Sequence, residues 1–163
     1  MKIAIVGHEA AKFTPLTEKT ARETIRLILS PPLAVAVSGG CHLGGIDIWA
    51  EDEAKKLGRR AVVFAPTKFE WNGDGGFKDR NLKIASECEV AVCIVVDEYP
   101  AGYEGMRFDQ CYHCLDRRPF HIKSGGCWTA LKAKRLGKPV LWVIVRKDGS
   151  SELSGDWSMG KTT

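Results

Sequence analysis

The sequence has no apolar run approaching the roughly 20 residues that cross a bilayer; its longest, such as Val90 to Val96, are strand-sized. That excludes a helical membrane span and predicts no membrane partner. It has no signal h-region: Met1-Lys2 runs straight into Ile3-Ala4-Ile5-Val6-Gly7, which reads as a strand. The expectation is a cytoplasmic protein. A large excess of one sign of charge is missing too. The net charge is +4, which favours anionic ligands but does not by itself imply nucleic acid. No internal repeat is present. No Gly-Lys-Ser/Thr follows either glycine pair, so there is no Walker loop, and the standard dinucleotide fingerprint is missing.

What is present fits one domain: 163 residues, 44% hydrophobic and 27% charged. Strand and helix signals alternate. Strands are expected at Lys2 to Val6, Leu33 to Val37, Arg60 to Ala65, Val90 to Val96 and Pro139 to Val145. Helices are expected at Thr17 to Leu29 (with Thr17 as N-cap), Ile46 to Leu57, Lys78 to Glu87 and Trp128 to Leu136. Apolar strands each followed by an amphipathic helix predict a Rossmann-like, doubly wound, mainly parallel sheet of five strands. The domain would span 1–147, including an irregular insert, 97–123, before the last helix. The Gly- and Ser-rich 148–163 reads as a flexible tail.

In such sheets ligands bind beyond the carboxyl ends of the strands. The glycine motifs all fall there. Gly7-His8 ends the first strand, Ser38-Gly39-Gly40 through Gly44-Gly45 ends the second, and Ser124-Gly125-Gly126 opens the fourth helix with Thr129 one turn on. Glycine admits a ligand close to the backbone, and the free amides of a helix's first turn favour an anion. These residues are the candidate phosphate cradle. Arg80 and Asn81, at the start of the third helix, would complete the charge.

The six cysteines are unevenly placed. Cys88 and Cys93 read as core. Cys111 and Cys114 have the spacing of a zinc knuckle, and His121 and Cys127 are the natural further ligands, with His113 as a substitute. There is no second Cys-x-x-Cys, and Cys127 has an alternative reading as packing within its glycine loop. The expectation is one structural zinc ordering the insert, with no organic cofactor.

Val37-Ser38-Gly39-Gly40 through Gly45-Ile46-Asp47, then Ala50, Ala54 and Gly58, resemble the signature of the SLOG superfamily. Gly76 to Arg80-Asn81, Ser124-Gly125-Gly126 with Thr129-Ala130, and Gly137-Lys138-Pro139-Val140 follow in matching order. That superfamily includes the DNA-processing protein A domain, cytokinin-activating phosphoribohydrolases and molybdenum-cofactor carrier proteins. The resemblance, over residues 2 to 146, implies a Rossmann-like fold that binds a nucleotide or nucleotide derivative, in chains that commonly pair as homodimers through helices. Arg80 matches the arginine the phosphoribohydrolases use near their ligand. Their acidic positions are Leu131 and Lys132 here, Ser124 stands for their loop proline and Trp128 for a loop glycine.

The leading expectation is therefore a nucleotide-binding sensor or carrier. The alternatives are a nucleotide-processing hydrolase drawing an acid from Glu9, Asp47, Asp97 or Glu98, and single-stranded DNA binding, which is less favoured.

Overall fold

A computed structural model describes residues 1–114 and 120–157. The strands are β1 (Lys2–Gly7), β2 (Val35–Ser38), β3 (Arg60–Val63), β4 (Val90–Val96), β5 (Val140–Val145) and β6 (Ser151–Gly155). The helices are α1 (Pro15–Leu29), α2 (Ile46–Lys56), α3 (Phe77–Glu87) and α4 (Gly125–Arg135), with a single 3-10 turn at Ala10–Lys12. One sheet runs in the order β3-β2-β1-β4-β5-β6, parallel except for β6. This is a Rossmann-like arrangement, and its order reverses between β1 and β4. Among the described residues, no helix is long and apolar enough to cross a membrane.

Strand periodicity divides the core. Ile3 and Ile5 of β1 and Val92 and Ile94 of β4 face α1 and α2. Ala4, Val6, Ala91 and Cys93 face the other side, against α3 and α4. Every residue of β4 and β5 is buried, because helices cover both faces.

Three expectations change, one being the last helix, which starts three residues earlier than expected, at Gly125. The first helix starts earlier, at Pro15. Thr14 is its N-cap and Thr17 is the N3 residue of a capping box, each side chain accepting the other's backbone N–H. The proline suits the first helical position, where no backbone donor is needed. The sheet has six strands, not five, because residues 151–155 of the expected tail form β6. The chain reverses at Gly149 (φ +83°), where the Arg146 N–H donates to the Ser150 carbonyl, and β6 pairs antiparallel with β5. The rest of that tail, 158–163, and insert residues 115–119 lie outside the described residues. The described insert residues form turns and extended backbone, with no helix or strand.

α2 is fixed to α1 by a buried carboxylate. Glu53 is fully buried and accepts hydrogen bonds from Arg26 Nε (2.6 Å), Lys56 Nζ (2.9 Å) and Arg22 (3.2 Å). Burial alone would raise its pKa; the donors outweigh that and hold it at about 2. Its stabilisation is complete above the ordinary glutamate pKa and fades as pH falls toward 2. Replacing it leaves two arginines facing a neutral group. Glu53→Gln should therefore lower stability by about 2 kcal/mol at neutral pH, with the difference from wild type shrinking in acid. Urea unfolding at pH 7 and pH 3 measures both.

Candidate functional site

The candidate site is a cavity of about 300 Å³ at the carboxyl ends of the strands, beside the β1–β4 reversal. Its walls come from the exit of β1, the loop between β2 and α2, one face of α3, and the start of α4.

Two backbones touch at its base. A Cβ on Gly126 would overlap the amide nitrogen of Gly7, and one on Gly7 would overlap the Ile94 carbonyl. Glycine at 126 lets the first turn of α4 lie across the end of β1, and glycine at 7 lets β1 end against the Ile94 carbonyl of β4. Gly125 differs. A Cβ there would meet nothing within 4 Å, yet the residue lines the cavity. Packing does not require that glycine.

Arg80 spans the cavity floor. Its Nη1 donates to the Gly39 carbonyl (2.6 Å) and lies 3.3 Å from the Asp47 carboxylate. Its Nε is buried without a hydrogen-bond partner. Its guanidinium also lies 5.6 Å from the centre of the Phe77 ring. Asp47 is pushed up to about 6 by burial, against the downward pull of Arg80 and with Glu51 adding to the rise. Lys123 also lines the cavity, with its ammonium 5.3 Å from the Phe108 ring centre and 5.6 Å from that of Tyr112, and Glu9 supplies a second carboxylate, 3.1 Å from Lys12 Nζ. Trp71 forms the rim, edge-on to Trp128 at 5.1 Å, and the Lys132 ammonium sits 5.0 Å from the Trp128 ring centre.

The expected cradle residues divide into lining and support. Gly7, His8, Gly44, Arg80, Asn81, Gly125, Gly126 and Thr129 line the cavity. Ser38 lies beneath it, donating to Glu51 (2.6 Å) and accepting the Gly40 N–H (3.2 Å). Gly39 leaves room for Arg80, and Gly45 (φ +84°) leaves room for the backbone of His8 and Ala10. Ser124 caps α4 by accepting the Gly126 N–H.

His8 has both ring nitrogens committed. Nδ1 accepts the Val96 N–H (3.1 Å), so Nε2 carries the proton and donates to the Lys123 (2.9 Å) and Ile122 (3.2 Å) carbonyls. Burial, then the nearby Lys12 and His121, lower its pKa to about 3, so it is neutral at ordinary pH. It pins the returning insert to β1 and β4 and gives the wall its shape.

Of the lining residues, Asp47 is one of the four carboxylates the sequence offers as a possible acid; here it partners Arg80. Phe77 and Ile84 fall on the same face of α3 as Arg80 and Asn81, an i, i+3, i+4, i+7 pattern present in the sequence. Cys41, Leu43 and Lys123 carried no such signal. Asp97 and Glu98 line a different cavity, beside Lys12 and Lys147, so Glu9 and Asp47 are the carboxylates at this one.

Beside the cavity, Cys111, Cys114, His121 and Cys127 bring their ligand atoms within 4.8 Å of one another, a cluster that can hold a metal ion. The grouping expected from the sequence is present.

Among solved structures, the fold is similar to that in the X-ray structure of DNA processing protein A (DprA) from Streptococcus pneumoniae, with TM-score 0.51 and 18% identity. The match covers 86% of this chain and 49% of that one, so the chain spans about half its length. At that identity the likeness is one of fold. No protein-family model and no curated protein matches the sequence.

The two adjacent glycines make opposite predictions. Gly126→Ala should cost at least about 1–3 kcal/mol, because backbone must move. Gly125→Ala should leave stability within about 0.5 kcal/mol of wild type or raise it. Denaturant midpoints of the two variants check this.

Proposed function

We propose that this cavity binds a nucleotide or nucleotide derivative, with its phosphate held between Gly44, the first turn of α4 and Arg80. This is a sensor or carrier role of the SLOG type. The observation that carries the reading is the pairing of Arg80 with Gly125. The Arg80 guanidinium lines the cavity, and the same cavity keeps open the space a side chain on Gly125 would fill. A phosphate oxygen would accept from the first and occupy the second. Phe77 and Trp71 offer faces for the base, and the cavity is roughly mononucleotide-sized.

The carboxylates of this cavity favour binding over N-glycosidic cleavage. Glu9 faces Lys12 and Asp47 faces Arg80. The positions that are acidic in the phosphoribohydrolases hold Leu131, packed against the core, and Lys132, over Trp128.

Single-stranded nucleic acid is a second reading. It is supported by Phe69 and Trp71, 67% and 42% exposed, with Lys68 and Lys78 exposed beside them. An oligonucleotide affinity that collapses with added salt, and that Gly125→Val leaves intact, would select it.

Calorimetry with a panel of nucleoside 5′-monophosphates tests the main reading. Arg80→Gln should weaken binding about tenfold or more, the worth of one charge-assisted hydrogen bond. Gly125→Val should abolish binding while leaving the fold intact. A folded Gly125→Val variant with wild-type affinity would contradict the assignment.

Asp47 adds a pH dependence. Above about pH 6 its carboxylate competes with the ligand for Arg80; below, it is neutral. Asp47→Asn should therefore bind more tightly than wild type at pH 7.5 and about equally at pH 5. Comparing the two proteins cancels the ionisation of the phosphate itself. Parallel affinity curves for the two would remove Asp47 from the account.

A further inference from the structure

Cys111 and Cys114 lie in the outgoing arm of the insert, His121 in its return, and Cys127 in the first turn of α4. The two arms are tied by the Cys111 N–H donating to the His121 carbonyl (2.9 Å), and the Cys114 N–H turns back to the Cys111 carbonyl (3.4 Å). Cys111, His121 and Cys127 are buried.

The histidine is oriented as a ligand. Its Nδ1 lies 2.7 Å from the Ile122 carbonyl, which can only accept, so the ring proton is on Nδ1. The lone pair on Nε2 is then turned to the cluster, 3.1 Å from Cys114 Sγ. A metal-bound imidazole commonly has this arrangement, one nitrogen on the ion and the other donating to a backbone carbonyl.

We infer that Cys111, Cys114, His121 and Cys127 bind one zinc ion as a closed, tetrahedral structural site. Three thiolates and an imidazole suit zinc, whereas calcium and magnesium require oxygen ligands. Zinc–sulfur bonds of about 2.3 Å place tetrahedral sulfurs about 3.8 Å apart. The ligand atoms here, all within 4.8 Å with Cys114 Sγ and His121 Nε2 at 3.1 Å, need to shift by about an ångström at most.

Four protein ligands leave no open position, so the ion's work is mechanical. It fastens an insert that forms no helix or strand among its described residues. The attachment point, Cys127, sits between cavity-lining Gly126 and Thr129. The zinc assignment does not depend on what the cavity binds, and its test reads the metal directly.

Chain purified without chelators and without metal-affinity resin should carry about one zinc per molecule by mass spectrometry of the metal. Cys114→Ser should lose most of it. His113→Ala should keep it, because His121 supplies the nitrogen. After zinc is removed, titration with cobalt(II) should give a thiolate-to-cobalt charge-transfer band and the intense visible absorption of tetrahedral cobalt. This measurement uses the wild-type chain, so it stands even where a cysteine variant fails to fold. A natively folded wild-type chain with no zinc and no cobalt–thiolate band would overturn the inference. Loss of zinc in His113→Ala with retention in His121→Ala would overturn the ligand set.

Discussion

The contact on which the site depends is backbone against backbone, where Gly126 at the start of α4 rests on Gly7 at the end of β1. No side chain fits between them, since a Cβ on Gly126 would overlap the Gly7 amide. The approach carries the first turn of α4 to the point where the strand order reverses, the usual ligand position in open parallel sheets. It also brings Cys127 toward the insert and Thr129 into the cavity wall. Moving α4 outward would open the floor of the cavity and pull one cysteine from its cluster together. His8 secures the opposite side by holding the Ile122 and Lys123 carbonyls against the end of β4.

The electrostatics of the cavity are a contest rather than a simple positive patch. Arg80 is held by the Gly39 carbonyl and by Asp47, and those contacts fix its guanidinium in place. They engage Nη1 and leave Nε without an acceptor. Asp47 is near its own titration at physiological pH because burial opposes its charge while Arg80 favours it. A fixed cation with an adjustable counter-charge can hold an anion and also release it, as the proposed carrier or sensor role requires.

The fold was largely legible because fully buried strands and amphipathic helices leave strong periodic patterns. β6 was not, because Ser151–Gly155 is polar and joins only the sheet edge; the Asp148-Gly149 pair was its one signal. The start of α1 was misplaced because Thr14 and Thr17 both suit a cap, and Pro15 decides between them. At the site, the sequence located the loops but not the purpose of each glycine. Gly39, Gly45 and Gly126 make room for Arg80, His8 and Gly7; Gly125 has no such neighbour, and only three-dimensional packing separates these cases. The Asp47–Arg80 pair joins residues far apart in the chain, so no local pattern could reveal it. The Cys and His cluster was visible by spacing and residue type, and the structure adds the orientation of His121.

The central claim is that Arg80 and the open space at Gly125 receive one phosphate. A crystal structure of the chain grown with a nucleoside 5′-monophosphate that binds in solution tests it most directly. The account predicts a phosphate oxygen within hydrogen-bonding distance of the Arg80 guanidinium, with the group lying against Gly125 and the first-turn amides of α4. A nucleotide bound elsewhere on the molecule, with this cavity holding only solvent, would contradict it.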